Sequence, residues 1–228
     1  MSGHDNRCCL YRYFSLLLIV QIIFYAISGC STISKPVPRK SAAKIRICNE
    51  RADEALKNKD YETGILLHQQ LIERQPDNAL ALYHLGYAYG QTGDRKQEVY
   101  YYEKAISEGL NRNAELFFNL GMAYGELNMI PKAISAFKSA VQLNPKSADN
   151  HFGLAQAYEA NADFASAEIE FLEAIEIDPK HLDARLYLSI LYVDRGYFTK
   201  ARSQLKKILE IDPEHQIARR MLNSIEKE

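Results

Sequence analysis

The stretch LGYAY, residues 85–89, determines the fold prediction, because close variants of it return at a nearly constant interval. The related stretches LGMAY, LAQAY and LSILY begin at Leu120, Leu154 and Leu188. A leucine and a tyrosine four residues apart lie on one face of an α-helix. The residue after each leucine is small (glycine, alanine or serine), which lets a second helix approach closely. We therefore predict one helix for each copy, with the same apolar face turned inward each time.

A second set of residues follows the same period. Between the leucine stretches lie small–aromatic–small triplets, Ala133-Phe137-Ala140 and Ala167-Phe171-Ala174. Prolines then recur at two equal intervals, which follow one interval of about twice that length, and a proline ends a helix. The prolines are Pro76, Pro145, Pro179 and Pro213. Each repeating unit is thus predicted to hold two antiparallel helices.

These motifs at this spacing resemble the tetratricopeptide repeat. The resemblance implies an all-α fold, a right-handed superhelical solenoid of helix-turn-helix repeats. It covers about three-quarters of the chain and places five repeats at 45–78, 79–113, 114–147, 148–181 and 182–215. Repeat one departs most from the signature, and repeat two has Glu98 where alanine is usual. Residues 216–228 are expected to form a C-terminal capping helix.

The resemblance also implies an interaction groove. In this family the inner wall is formed by positions two, five, six and nine of each first helix, and its occupant is a protein or peptide. Position two is acidic in three successive repeats and forms a row of negative charge along one rim. The alternatives are that the side chains only fill the groove, or that the C-terminal segment occupies it. The groove residues are Tyr83, His84, Tyr87, Glu115, Phe118, Asn119, Met122, Asp149, Phe152, Gln156, Asp183, Leu186, Tyr187 and Ile190.

The N-terminal segment has the three parts of an export signal. Arg7 and Arg12 precede an apolar run at 14–27, which is shorter than the roughly 20 residues of a membrane span. The sequence ISGC then ends at Cys30 and resembles the lipobox of bacterial lipoproteins. We predict a lipoprotein signal peptide at 1–29 and, at 30–43, a lipidated Cys30 with a flexible tether. An uncleaved signal anchor in the inner membrane is the alternative.

The residue after the cysteine bears on location. In the sorting pattern that this segment resembles, an aspartate there retains a lipoprotein in the inner membrane, whereas this chain has Ser31. The expected location is the periplasmic face of a bacterial outer membrane, with membrane attachment through the lipid anchor.

Charge and motifs disfavour other classes of function. The formal net charge is −1, so the basic footprint of a nucleic-acid-binding protein is lacking. The chain has no G-x-S-x-G, phosphate-binding glycine loop or H-E-x-x-H motif. We therefore expect no enzyme, cofactor, metal site or small-molecule substrate. The histidines are scattered and are interpreted as solvated or structural. Cys48 is interpreted as a buried apolar residue.

The expected function is that of a non-enzymatic scaffold for a partner polypeptide. The overall plan resembles small tetratricopeptide lipoproteins that assist pilus or secretion-complex assembly, often called pilotins. An adaptor that recruits peptidoglycan-modifying enzymes has the same plan and remains an alternative. The contrasting class is a thiol-dependent enzyme that uses Cys48.

Overall fold

The structure is a computed structural model that describes residues 49–225, and every regular element in this range is an α-helix. None of these helices is long and apolar enough to cross a membrane. The predicted signal peptide, Cys30, the tether and Cys48 lie outside the described residues, as do 226–228. The helices are α1 (Glu50–Lys57), α2 (Tyr61–Arg74), α3 (Ala79–Thr92), α4 (Arg95–Ser107), α5 (Ala114–Glu126), α6 (Ile130–Leu143), α7 (Ala148–Ala160), α8 (Phe164–Ile177), α9 (Leu182–Asp194), α10 (Phe198–Ile211) and α11 (Gln216–Ile225).

The helices form five successive hairpins, α1/α2 to α9/α10, followed by α11. Each helix packs against the next along the chain, and neighbouring first helices also touch, α3 with α5 and α5 with α7. Such contacts between adjacent units only are what define a solenoid. The predicted all-α solenoid of helix-turn-helix repeats is confirmed.

The turn inside each hairpin contains one residue with a left-handed backbone. Gly93 has φ 85° and Gly196 has φ 74°. The other three turns use non-glycine residues, for which this conformation costs roughly 1–2 kcal/mol. They are Lys59 (φ 62°), Asn128 (φ 57°) and Ala162 (φ 58°). The hairpin geometry therefore recurs even where the local residue does not favour it.

Side-chain caps begin most of the helices. The residue before each of the helices α3, α5, α7 and α9 accepts a hydrogen bond from a backbone N–H of the first turn, as is usual for Asn and Ser caps. Two of the histidines have this role. His181 Nδ1 accepts from the N–H of Ala184, and His215 Nδ1 accepts from the N–H of Ala218, each at 3.2 Å.

Large residues of the second helices fill the core against small residues of the first helices. Tyr102, Phe171 and Leu205 are fully buried. A Cβ built on Gly86 would come within 2.5 Å of Cδ1 of Tyr102, so this position has room only for glycine. The small residues identified in the sequence are thus needed for close helix packing.

Repeat two replaces the usual small residue of its second helix by a buried charge. The Glu98 side chain is buried and accepts a hydrogen bond of 2.8 Å from Arg95 Nη1. Burial raises the pKa of Glu98. Gly90 leaves the space for this carboxylate, since a Cβ there would lie 2.6 Å from Glu98 Oε1.

A recurring hydrogen bond joins each of the helices α7, α9 and α11 to the turn that precedes it. The fourth residue of a first helix donates to the carbonyl of the proline six residues earlier. His151 Nε2 lies 3.1 Å from the carbonyl oxygen of Pro145, and Arg185 Nη2 lies 2.9 Å from that of Pro179. Arg219 donates in the same way to Pro213. The turn between these repeats is thereby closed by a side chain.

Candidate interaction groove

The predicted groove residues all lie on the first helices α3, α5, α7 and α9. Their exposure differs. Seven are half-buried: His84, Tyr87, Phe118, Asn119, Phe152, Gln156 and Ile190. Five are exposed: Glu115, Met122, Asp149, Asp183 and Tyr187. Tyr83 and Leu186 are buried and belong to the hydrophobic core, so little of either side chain is available to a partner.

Four of these residues meet at one cavity of about 380 Å³ between α1, α3 and α5. Tyr83, His84, Tyr87 and Glu115 line it, and α1 supplies Asp53, Leu56 and Lys57. Burial, followed by the nearby Glu115 carboxylate, raises the pKa of Tyr83. The phenol therefore stays protonated and hydrogen bonds to Glu115. The cavity combines aromatic walls with hydrogen-bonding groups of both kinds.

A second cavity of about 290 Å³ lies between α5, α6 and α7. Met122 and Gln156, at position nine of neighbouring repeats, are part of its lining. Small residues form much of the rest, among them Gly121, Gly125, Gly153, Ala157 and Ala160. This cavity suits an apolar side chain.

Aromatic rings continue the surface toward the C-terminal repeats. The Phe152 ring centroid lies 5.5 Å from that of Tyr187 in the next repeat and 5.9 Å from that of Phe171. It also contacts the ring of His181, at 5.0 Å. Tyr187 is 36% exposed. The exposed ring of Tyr187 is thus packed against the half-buried ring of Phe152 and the buried ring of Phe171.

Acidic side chains follow one edge of the first helices. Glu115, Asp149 and Asp183 occupy the second position of three successive repeats, and all three are exposed. Asp149 Oδ1 lies 3.4 Å from Nε2 of His181. Arg185 is the only lysine or arginine in α3, α5, α7 and α9, and it is buried with its guanidinium bonded to Gln204 and Pro179. No exposed lysine or arginine of these four helices therefore neutralises the negative charge of the acidic edge.

The structure also brings together three residues that the sequence analysis did not connect. Asp53 of α1, His68 of α2 and His84 of α3 place one ligand atom each within 4.8 Å of the others. His68 is fully buried. Burial is the main cause that lowers the pKa of His84, which favours the neutral imidazole. No metal site was expected from the sequence, yet these groups are close enough to hold one ion.

A signal for this cluster was present in the repeat frame. His68 occupies the position that holds Tyr102, Phe137 or Phe171 in later repeats, and Asp53 occupies position nine of repeat one. The sequence analysis overlooked this pattern. A histidine replaces the core aromatic residue of one repeat, and a second histidine occupies a groove position of the next repeat.

Several solved structures are similar to this chain over most of its described length. The crystal structure of MamA superposes with a TM-score of 0.70 at 23% identity, covering 74% of this chain and 98% of that one. The crystal structure of YrrB, described as a TPR protein with an unusual peptide-binding site, gives 0.69 at 25% identity, covering 75% and 87%.

A thermophilic TPR protein of Thermus thermophilus, TTC0263, gives a TM-score of 0.56 at 20% identity, covering 77% of this chain and 95% of that one. A search of curated proteins gave no match. Family models described as tetratricopeptide repeat match residues 49–113, 118–181 and 169–225. The chain belongs to the tetratricopeptide repeat family.

Proposed function

We propose that this protein is a non-enzymatic scaffold that binds an extended segment of a partner polypeptide across the first helices of its repeats. Tetratricopeptide repeats bind protein or peptide partners, and YrrB is described as having a peptide-binding site. The observation that carries the proposal is the exposed apolar surface at groove positions: Met122 is 42% exposed and Tyr187 36%. Apolar surface of this kind beside polar groups is typical of interaction sites.

The chemistry of the surface indicates which residue types the partner segment contains. The cavity beside Met122 accepts an apolar side chain, and the acidic edge of Glu115, Asp149 and Asp183 favours lysine or arginine nearby. Packed helices lie about 8–10 Å apart, and an extended chain advances about 3.3 Å per residue. Every third residue of such a segment would therefore meet the next first helix.

Site-specific photo-crosslinking tests this proposal. A photoreactive phenylalanine analogue is placed at Met122 or Tyr187 in the groove, and at Ile169 as the control. Ile169 is 59% exposed but lies on the second helix α8. We expect crosslinks from positions 122 and 187 to one segment of one partner, with little from 169. Equal crosslinking from the control position would contradict the groove.

We further propose that Cys30 is lipidated, that the protein lies on the periplasmic face of an outer membrane, and that its partner belongs to a pilus or secretion complex. The support is the sequence alone, the apolar run at 14–27 followed by ISGC. Metabolic labelling with a palmitate analogue should tag the wild type and not Cys30→Ser. A tag retained in the variant would refute lipidation at this residue. A peptidoglycan-modifying enzyme as the crosslinked partner would favour the adaptor alternative.

A further inference from the structure

We propose that Asp53, His68 and His84 form a binding site for a divalent transition-metal ion of the zinc class, which joins the first repeat to the second. Asp53 and His68 come from the two helices of the first hairpin, and His84 comes from the first helix of the next. The proposal rests on the geometry of these three side chains and is independent of what the groove binds.

The spacing of the three ligand atoms fits one ion. His84 Nδ1 lies 2.8 Å from Asp53 Oδ1, and His68 Nε2 lies 3.3 Å from the same oxygen. The two imidazole nitrogens are 3.1 Å apart. Metal–ligand bonds of about 2.0–2.2 Å, at angles between octahedral and tetrahedral, separate neighbouring ligand atoms by about 2.8–3.6 Å. Only small shifts of these side chains are needed for all three to bind together.

The hydrogen-bond partner of His68 Nδ1 determines which ring nitrogen of His68 carries the hydrogen. His68 Nδ1 lies 2.8 Å from the carbonyl oxygen of Gly64, in a fully buried environment. A carbonyl only accepts, so Nδ1 carries the hydrogen, and Nε2 faces the cluster as the nitrogen that can bind a metal ion. Metal-binding histidines are held in this way, with the remote N–H donated to a carbonyl or carboxylate.

The Asp53 carboxylate provides an independent observation. Its Oδ1 atom is buried and has no hydrogen bond, although both imidazoles are near. With the Nδ1 hydrogen of His68 donated to Gly64, a hydrogen on His84 Nδ1 can serve either His68 Nε2 at 3.1 Å or Asp53 Oδ1 at 2.8 Å, but not both. A buried acceptor without a donor is costly and calls for a specific explanation. A cation shared by the oxygen and both nitrogens satisfies all three groups.

The donor set selects the class of ion. Two imidazole nitrogens and one carboxylate favour zinc, nickel, cobalt or copper, whereas magnesium and calcium prefer oxygen donors. Asp53 and His84 also line the cavity that contains Glu115 and Tyr87. The remaining coordination positions therefore open toward the groove, where water can complete them.

Metal titration of the full chain in detergent tests the site. After removal of bound metal with a chelator, isothermal titration with ZnCl₂ should show one saturable site per chain, and MgCl₂ should show none. Asp53→Asn and His84→Gln should each weaken zinc binding at least about tenfold. Both side chains are partly exposed, so the variants should keep their helical circular dichroism. His151→Gln, which removes an imidazole bonded to Glu170 and to the carbonyl of Pro145, is the control and should bind as the wild type does.

Cobalt distinguishes this site from the cysteines of the chain. Co²⁺ bound to imidazole and carboxylate gives visible d–d bands without the thiolate charge-transfer band near the ultraviolet. We expect that spectrum in the wild type and its loss in the Asp53→Asn/His84→Gln double variant. Absence of saturable zinc binding, wild-type affinity in the folded double variant, or a thiolate band would each overturn the proposal.

Discussion

The ring of Phe137 lies against the backbone of Gly153 in the following repeat, so closely that a Cβ on this glycine would stand 2.5 Å from Cε1 of the ring. Gly121, in the same hairpin as Phe137, approaches the ring from another helix, where a Cβ would lie 2.9 Å away. One aromatic side chain therefore fixes both the packing within a hairpin and the packing between two hairpins.

Gly153→Ala should lower the free energy of unfolding by about 1–3 kcal/mol, because the added methyl group forces the buried Phe137 ring to move. Urea titration followed by circular dichroism measures the change. Gly125→Ala is the matched control, since no atom beyond the glycine's two chain neighbours and the nearby backbone of its own helix lies within 4 Å of its ideal Cβ. There alanine should stabilise the helix by about 0.5–1 kcal/mol. Equal effects of the two substitutions would show that the ring does not lie where it is described.

Ala162→Gly should stabilise the protein although it removes a methyl group. Ala162 has φ 58°, a left-handed conformation that costs an L-residue roughly 1–2 kcal/mol. After the greater chain entropy of glycine in the unfolded state is subtracted, we expect a gain of about 0.5–1 kcal/mol in unfolding free energy. Gly93→Ala reverses the change at the equivalent turn and should destabilise. A loss of stability in Ala162→Gly would contradict the turn geometry.

Glu168→Gln should reduce stability at neutral pH and matter little in acid. Lys200 and Tyr192 donate hydrogen bonds to the Glu168 carboxylate, at 2.9 and 2.7 Å, and the lysine is the main cause that lowers the pKa of this group. A carboxyl with a lowered pKa in the folded state contributes stability above its unfolded value, and that contribution disappears as the pH falls through the lower folded value.

The expected loss in Glu168→Gln is about 1 kcal/mol at neutral pH, as measured by urea unfolding. It should shrink as the pH falls below the ordinary glutamate value of 4.5. Glu173→Gln, an exposed glutamate on the same helix, is the control and should show no such pH dependence. A difference between wild type and Glu168→Gln that persists in acid would refute the ion pair as its source.

Reversing the charge of the acidic edge should weaken partner binding. In Glu115→Lys/Asp183→Lys, two exposed carboxylates of the groove become cations, so a basic partner segment would be repelled. Affinity for the crosslinked partner peptide, measured by fluorescence anisotropy, should fall most at low salt, because added salt screens charges on the surface. Glu173→Lys on the second helix α8 is the control. Unchanged affinity in the groove variant would remove the acidic edge from the recognition surface.

The fold could be predicted from the sequence because the residues that pack the core recur at a nearly constant interval. The leucine–small–tyrosine stretch that begins at Leu85 marks a packing contact that recurs along the chain. The aromatic position of Phe137 marks another. Core packing demands the same residue types at the same spacing, so one repeat explains the others. The exposure of groove residues was less predictable. Leu186 stands at a groove position but is buried among residues of the second core cluster.

The cluster of Asp53, His68 and His84 was missed because its members belong to two repeats and make no local motif. Each lies on a different helix, whereas metal motifs on one helix place their ligands one turn apart. Only the packing of the first hairpin against the second brings them together. The clue was the departure of repeat one from the signature, where a histidine replaces a core ring.

At three of the repeat-ending prolines, Pro145, Pro179 and Pro213, a hydrogen bond from the following helix gives the junctions the same geometry. A genetic rearrangement that duplicates or deletes the stretch from one of these prolines to the next would rejoin the chain at an equivalent junction. A single event of this kind would add or remove one hairpin. The length of the solenoid can consequently change in evolution without a new type of junction between repeats.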